Sequence, residues 1–212
     1  MRNGMKVATL VMALILVFGA VIGGTVAWLI TNTAPVINTF TYGDINIKLE
    51  ETDTGLDGDN DPTTNKYQMV PGEDITKNPT VTVLANSEDC YLFVKLNKSA
   101  NFDEFMTYNV ILEDDPATAV DEKWTLLPGT DNIYYKEVSR SADNQVFGVL
   151  VDNKVTVKAD VTKAQLNALD AGGVINYPTM TVTAYAVQKA GIATPADAWA
   201  CITAEYPQTN TP

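Results

Sequence analysis

The 212-residue chain contains no histidine, only two cysteines, and 14 Lys+Arg against 26 Asp+Glu. Without histidine there is no Ser-His or Cys-His nucleophile pair and no His-ligated zinc. A formal net charge of -12 excludes the Lys/Arg field that phosphate binding requires, so nucleic acid is not an expected partner. No GxSxG, HExxH, P-loop or GxGxxG motif occurs, and no Cys-x-x-Cys, which leaves nucleotide, hydrolase and redox chemistry without a signature. Internal repeats and low-complexity tails are missing too. What remains is 46% hydrophobic and 19% charged, too apolar for a disordered polyelectrolyte. The length suits one domain, or at most two small ones, with a genuine core.

The N-terminus reads as an address. Arg2 and Lys6 are its only charges, and Val7 to Gly43 carries none. Val7–Ile22 is apolar but for one Gly and one Thr, the n-region and h-region pattern of a secretory signal. Thr25 and Ala27 are small and stand two apart, placing the expected cut between Ala27 and Trp28. A retained anchor is the rival reading, since Val7–Ile30 is long enough to cross ~30 Å of hydrocarbon. In either case the positive end stays inside and the rest of the chain is exported. Losing the first 27 residues, Arg2 and Lys6 among them, takes the formal charge from -12 to -14, which keeps copies soluble and apart. Assembly should then respond to salt, acid or divalent cations.

Beyond the leader the pattern is β. Asp44–Glu50 alternates strictly, so Ile45, Ile47 and Leu49 share a face. Pro79–Leu84 does the same, and Cys90–Leu96 reads as a buried strand. Tyr108–Leu112, Lys123–Leu127 and Ile133–Glu137 are shorter candidates. Val149–Val151 and Val155–Val157 flank Asp152-Asn153-Lys154, which predicts a hairpin because Asp and Asn tolerate φ > 0. Thr179–Val187 is the longest alternating run. Seven to nine strands separated by Gly, Pro, Asp and Asn turns predict an all-β, jelly-roll-like sandwich spanning 42–212. Helices are few and short: Lys163–Leu169 behind a Thr162 cap, a helix opening at Thr194-Pro195 with Trp199 and Ile202 inward, and a turn over Asn101–Met106.

Candidate chemistry is sparse. Asp53, Asp57, Asp59 and Asp61 alternate around glycine like the start of a calcium loop. The twelfth position is Thr64 counted from Asp53 and Gln68 counted from Asp57, not the bidentate Glu such a loop needs, and Pro62 interrupts the run. A solvated acidic turn is the better reading, with calcium the one candidate ligand. Cys90 and Cys201 both survive leader removal. Outside the cell they could pair, closing a long loop worth a few kcal/mol; the alternative is two small buried hydrophobes. Trp28, Trp124 and Trp199 read as core or interface aromatics, with Trp124 also a candidate sugar platform.

Three stretches together resemble the TasA/camelysin family of secreted biofilm-matrix proteins from Gram-positive bacteria. The first is the leader ending GGTVAW followed by NTFTYGDINIKLEE. The second is Met69–Lys77, with its Pro-Gly-acid turn, then a strand, the Ala85–Asp89 turn and Cys90–Leu96. The third is Val182–Gln188 with the Trp199 helix after it. The resemblance implies cutting by a SipW-type signal peptidase, a jelly-roll domain, and self-association into extracellular fibres. It also implies that the mature N-terminal segment, 28–41, completes the sheet of the next subunit. Leu29–Phe40, with Leu29, Ile30, Val36, Ile37 and Phe40 as its apolar contacts, is uncharged and β-prone. Such a segment needs an open sheet edge, and Pro35 suits an edge or a bend. Pairing within its own domain, or service as a short stalk, are the alternatives. Metalloprotease activity described for some camelysin relatives is not carried over, because the chain has no histidine.

Two functions follow as expectations. One is a non-enzymatic structural subunit or accessory of an extracellular fibre. The other is a monomeric cell-surface binding module for a glycan or host protein, which an exposed Trp124 or a calcium-filled loop would favour. Contact with membrane is expected only through an uncleaved leader.

Overall fold

The computed structural model of the chain describes residues 43–54, 65–112, 123–173 and 175–205. The chain divides into two units at 42/43, and only the second contains described residues. The leader, Thr25, Ala27, Trp28, the segment with Leu29, Ile30, Val36, Ile37 and Phe40, and Asp57, Asp59 and Asp61 lie outside them.

The described residues form an all-β sandwich. In chain order the strands are β1 (Ile47–Glu50), β2 (Asp74–Thr76), β3 (Thr80–Val83), β4 (Cys90–Lys98), β5 (Met106–Val110), β6 (Thr125–Leu126), β7 (Ile133–Val138), β8 (Gln145–Gly148), β9 (Leu150–Val157) and β10 (Met180–Gln188). Three short helices accompany them: α1 (Phe102–Phe105), α2 (Lys163–Ala168) and α3 (Pro195–Glu205). One sheet has the order β10-β4-β7-β6, all antiparallel. Facing it are two three-stranded ladders, β1-β3-β8 and β2-β9-β5. The ladders are continuous end to end, because Lys77 N–H donates to Asn153 O (2.8 Å) and Val149 N–H to Pro79 O (3.2 Å).

At that junction the predicted hairpin does not form. Asp152 and Asn153 do take positive φ, 54° and 52°, but inside β9. Thr76 lies opposite Lys154 and Thr80 opposite Gly148, so one strand uses six steps where its neighbour uses four. The surplus is absorbed as a bulge, which bends the strand without reversing it. Val149 and Leu150 on one side and Val155 and Val157 on the other all enter the same core; a reversal would have stranded one pair in water.

The core lies between the sheets. Cys90, Leu92, Val94 and Leu96 of β4 meet Val81, Val83, Phe147, Leu150, Val155 and Val157. The alternate residues Tyr91 and Phe93 face the other way, into a second cluster with Leu127, Ile133, Ala198 and Ile202 under α3. β4 is thus apolar on both faces because both are covered. Local chemistry sets the ends of the elements. Val70-Pro71-Gly72-Glu73 closes with Glu73 N–H to Val70 O (3.0 Å) and Gly72 at φ 82°, a type II turn that needs glycine third. Thr162 and Gln165 form a reciprocal capping box on α2. On α3, Asp197 N–H donates to Thr194 Oγ1 (3.1 Å).

Candidate functional site

The feature that sets this sandwich apart is the outer edge of β10. The strand pairs with β4 over nine residues, Met180 opposite Lys98 through Gln188 opposite Cys90. Among the described residues it pairs with nothing on its other side. Ser99 N–H donates to Thr179 O (3.0 Å) and Lys189 N–H to Asp89 O (2.8 Å), so odd-numbered residues exchange bonds with β4. By antiparallel alternation, the N–H and C=O groups of Met180, Val182, Ala184, Ala186 and Gln188 point to the free edge.

Both faces of the strand are nevertheless occupied. Met180, Val182, Ala184 and Ala186 pack against the inter-sheet core, where Ile47 and Leu49 of β1 also lie. Tyr185 and Val187 pack into the cluster under α3, and Trp199 stacks edge-on against Tyr185 with ring centroids 5.4 Å apart. The cover is partial: most of the strand's residues are half-buried, and Thr181 and Gln188 are exposed. Edge strands are ordinarily blunted by charge, proline, bulges or brevity; Met180–Gln188 has no charge, no proline and an unbroken register.

The sequence candidates fall out as follows. Cys90 and Cys201, a disulfide or two small buried hydrophobes by the sequence reading, are both free thiols, Cys90 buried and Cys201 exposed. The difference is directional: Cys90 points into the inter-sheet core, whereas Cys201 is exposed on α3, across the sheet. Burial, and secondarily the Asp89 carboxylate, push the Cys90 thiol up to about 11. Trp124 is 0% exposed and donates through Nε1 to Gly148 O (2.8 Å), so it is core and offers no platform to a sugar. Asp53 is half-buried, and no group of three or more acidic or cysteine side chains among the described residues is arranged to hold a metal ion. No helix among them is long and apolar enough to cross a membrane. The β10 edge was not singled out from sequence. Its signal was present, though: the longest alternating run of the chain carries no charge over nine residues.

No family model, no curated protein and no solved structure matches the chain. The likeness to the TasA/camelysin family therefore rests on the three stretches quoted above.

Proposed function

We propose that the protein is an exported, non-enzymatic structural subunit or accessory of an extracellular fibre, assembled by strand addition. One observation supports the reading: β10 has apolar layers packed on both faces, yet its residues stay half-buried or exposed and it has a neighbour on one edge only among the described residues. An unpaired row of peptide groups on a strand this apolar costs free energy until another strand fills it. The uncharged segment Leu29–Phe40 of a neighbouring copy has the matching character, and a chain of net charge -12 can bring two copies together most cheaply through parts that carry no charge. In this reading a SipW-type peptidase removes the first 27 residues, and the product works outside a Gram-positive cell.

Electron microscopy of protein beginning at Trp28 tests this. Fibres are expected, favoured by salt, which screens the acidic surface. They should vanish when Leu29–Phe40 is deleted. They should also vanish in Ala184→Pro, which removes an N–H that no described strand of the subunit uses, while the melting temperature stays close to that of the parent. Persistent monomers through titrations of salt, acid and calcium would count against assembly altogether.

A further inference from the structure

A second open edge, chemically unlike β10, lies along β5. A groove of about 440 Å³ follows this strand, lined by Met106 through Val110 in succession, by Leu112, by Tyr134 of β7, and by Lys98, Asp103 and Lys158. Lys158 N–H donates to Phe105 O (2.9 Å) and Ile111 N–H to Val149 O (3.0 Å). On the two sides of a register shift between Tyr108 and Val110, alternation turns the peptide groups of Met106 and Tyr108, and then of Val110, away from β9 and toward the groove. Among the described residues no strand pairs with Met106–Val110 on this edge, though just past it Trp124 N–H donates to Ile111 O (2.8 Å).

The side chains around it are mostly hydrogen-bond donors. Lys98 Nζ lies 2.8 Å from both Asp103 carboxylate oxygens and 5.2 Å from the Tyr108 ring centre. Lys158 Nζ donates to the Asp103 carbonyl oxygen. Lys98 is thus paired with a carboxylate, and the Asp131 carboxylate also acts on Tyr134; the Lys158 ammonium has no carboxylate partner among the described residues. Tyr134 is only 9% exposed and lines the groove. Burial, and next the nearby Tyr108, raise its pKa, so it stays protonated and able to donate.

We infer that this groove binds an extended peptide segment bearing a carboxylate, added as a strand to β5. The alternating N–H and C=O groups of Met106, Tyr108 and Val110 match a peptide backbone. Lys158 and Lys98 select the acidic side chain, and the Tyr134 hydroxyl donates to a carbonyl or carboxylate oxygen. A saccharide fits less well, because no aromatic face is free to stack: Phe102 is buried, and the Tyr108 ring stands edge-on to it at 5.9 Å beneath the Lys98 ammonium. The inference is independent of the β10 reading.

The test uses fluorescently labelled, end-blocked seven-residue peptides of alternating Thr and Val. Each carries Glu, Gln or Lys at one position, and binding to the full chain is read by anisotropy. Glu peptides should bind about tenfold more tightly than Gln peptides at one or two positions, with Lys weakest. Lys158→Gln should erase the Glu preference. Tyr134→Phe should weaken binding about fivefold without lowering the melting temperature, and N-methylation of alternate peptide nitrogens should abolish it. All of this should persist in Ala184→Pro, which separates failure at β5 from failure at β10. Absence of binding at millimolar peptide, binding without charge preference, or binding indifferent to Lys158→Gln and Tyr134→Phe would overturn the inference. So would tight binding of a galacturonate trimer that displaces the peptides, which would make the groove a saccharide site.

Discussion

β4 and β10 each run nine residues and pair without a break from Lys98–Met180 to Cys90–Gln188. β4 has strands on both edges and apolar layers on both faces, and Cys90 through Val94 are all buried. β10 has the same two layers on its faces, but its residues remain half-buried or exposed, because one edge is open among the described residues. Burial on a sheet is thus set by two independent enclosures, facial and lateral. β10 possesses the first and, among the described residues, has the second on one edge only.

The largest test of that difference is a matched pair of truncations. Leu96 and Val182 stand opposite one another. Leu96→Ala should cost about 2–5 kcal/mol, as expected for a fully enclosed leucine. Val182→Ala should cost about 1 kcal/mol, since part of the side chain never leaves water. Urea titration of both variants measures the gap. Equal losses would show that β10 is as confined as β4, and the open-edge argument would fail with them.

Hydrogen exchange sharpens the comparison at lower amplitude. In dilute monomer the amides of Thr183, Tyr185 and Val187, bonded to β4, should exchange slowly. Those of Val182, Ala184 and Ala186 should exchange faster by at least an order of magnitude, because they lack a partner strand. Along β4 no such alternation is expected. Raising the protein concentration into the assembling range should slow the even-numbered amides of β10 selectively. Uniform protection in the monomer would mean that another segment of the same chain already occupies the edge.

Much of this architecture was legible beforehand because alternation is a direct image of facial burial. Asp44–Glu50, Pro79–Leu84, Cys90–Leu96 and Thr179–Val187 all contain strands for that reason. β2 and β8 were not legible: Asp74–Thr76 and Gln145–Gly148 are three and four residues long, too short for a period to emerge. Asp152-Asn153 misled in an instructive way. The backbone conformation foreseen from residue type is present, but a positive φ is compatible with both a reversal and a bulge, and only the packing of Val149–Leu150 and Val155–Val157 into one core decides between them. Lateral openness leaves the weakest trace. A free edge is a fact about what is missing beside a strand, and sequence reports it only through the absence of the usual protective charges.

The smallest effect concerns the two thiols, and it probes whether the facial enclosure of β4 is complete at its first residue. Cys90 begins β4, opposite the exposed Gln188 that ends β10, so any loosening of the open edge should appear there first. With its pKa raised to about 11, Cys90 holds its proton in the folded state beyond the ordinary thiol value. The stability linked to it is therefore intact below about pH 8.5 and is lost as pH climbs toward the folded value. At pH 8 a thiol-specific chromogenic reagent should modify Cys201 promptly and Cys90 only on the timescale of unfolding, giving one fast equivalent from two cysteines. Cys201→Ala should abolish the fast phase and leave the slow one. Two fast equivalents would mean that the edge frays far enough to expose the core. None, with a mass two daltons low, would mean that the sheet between the cysteines does not separate them as described.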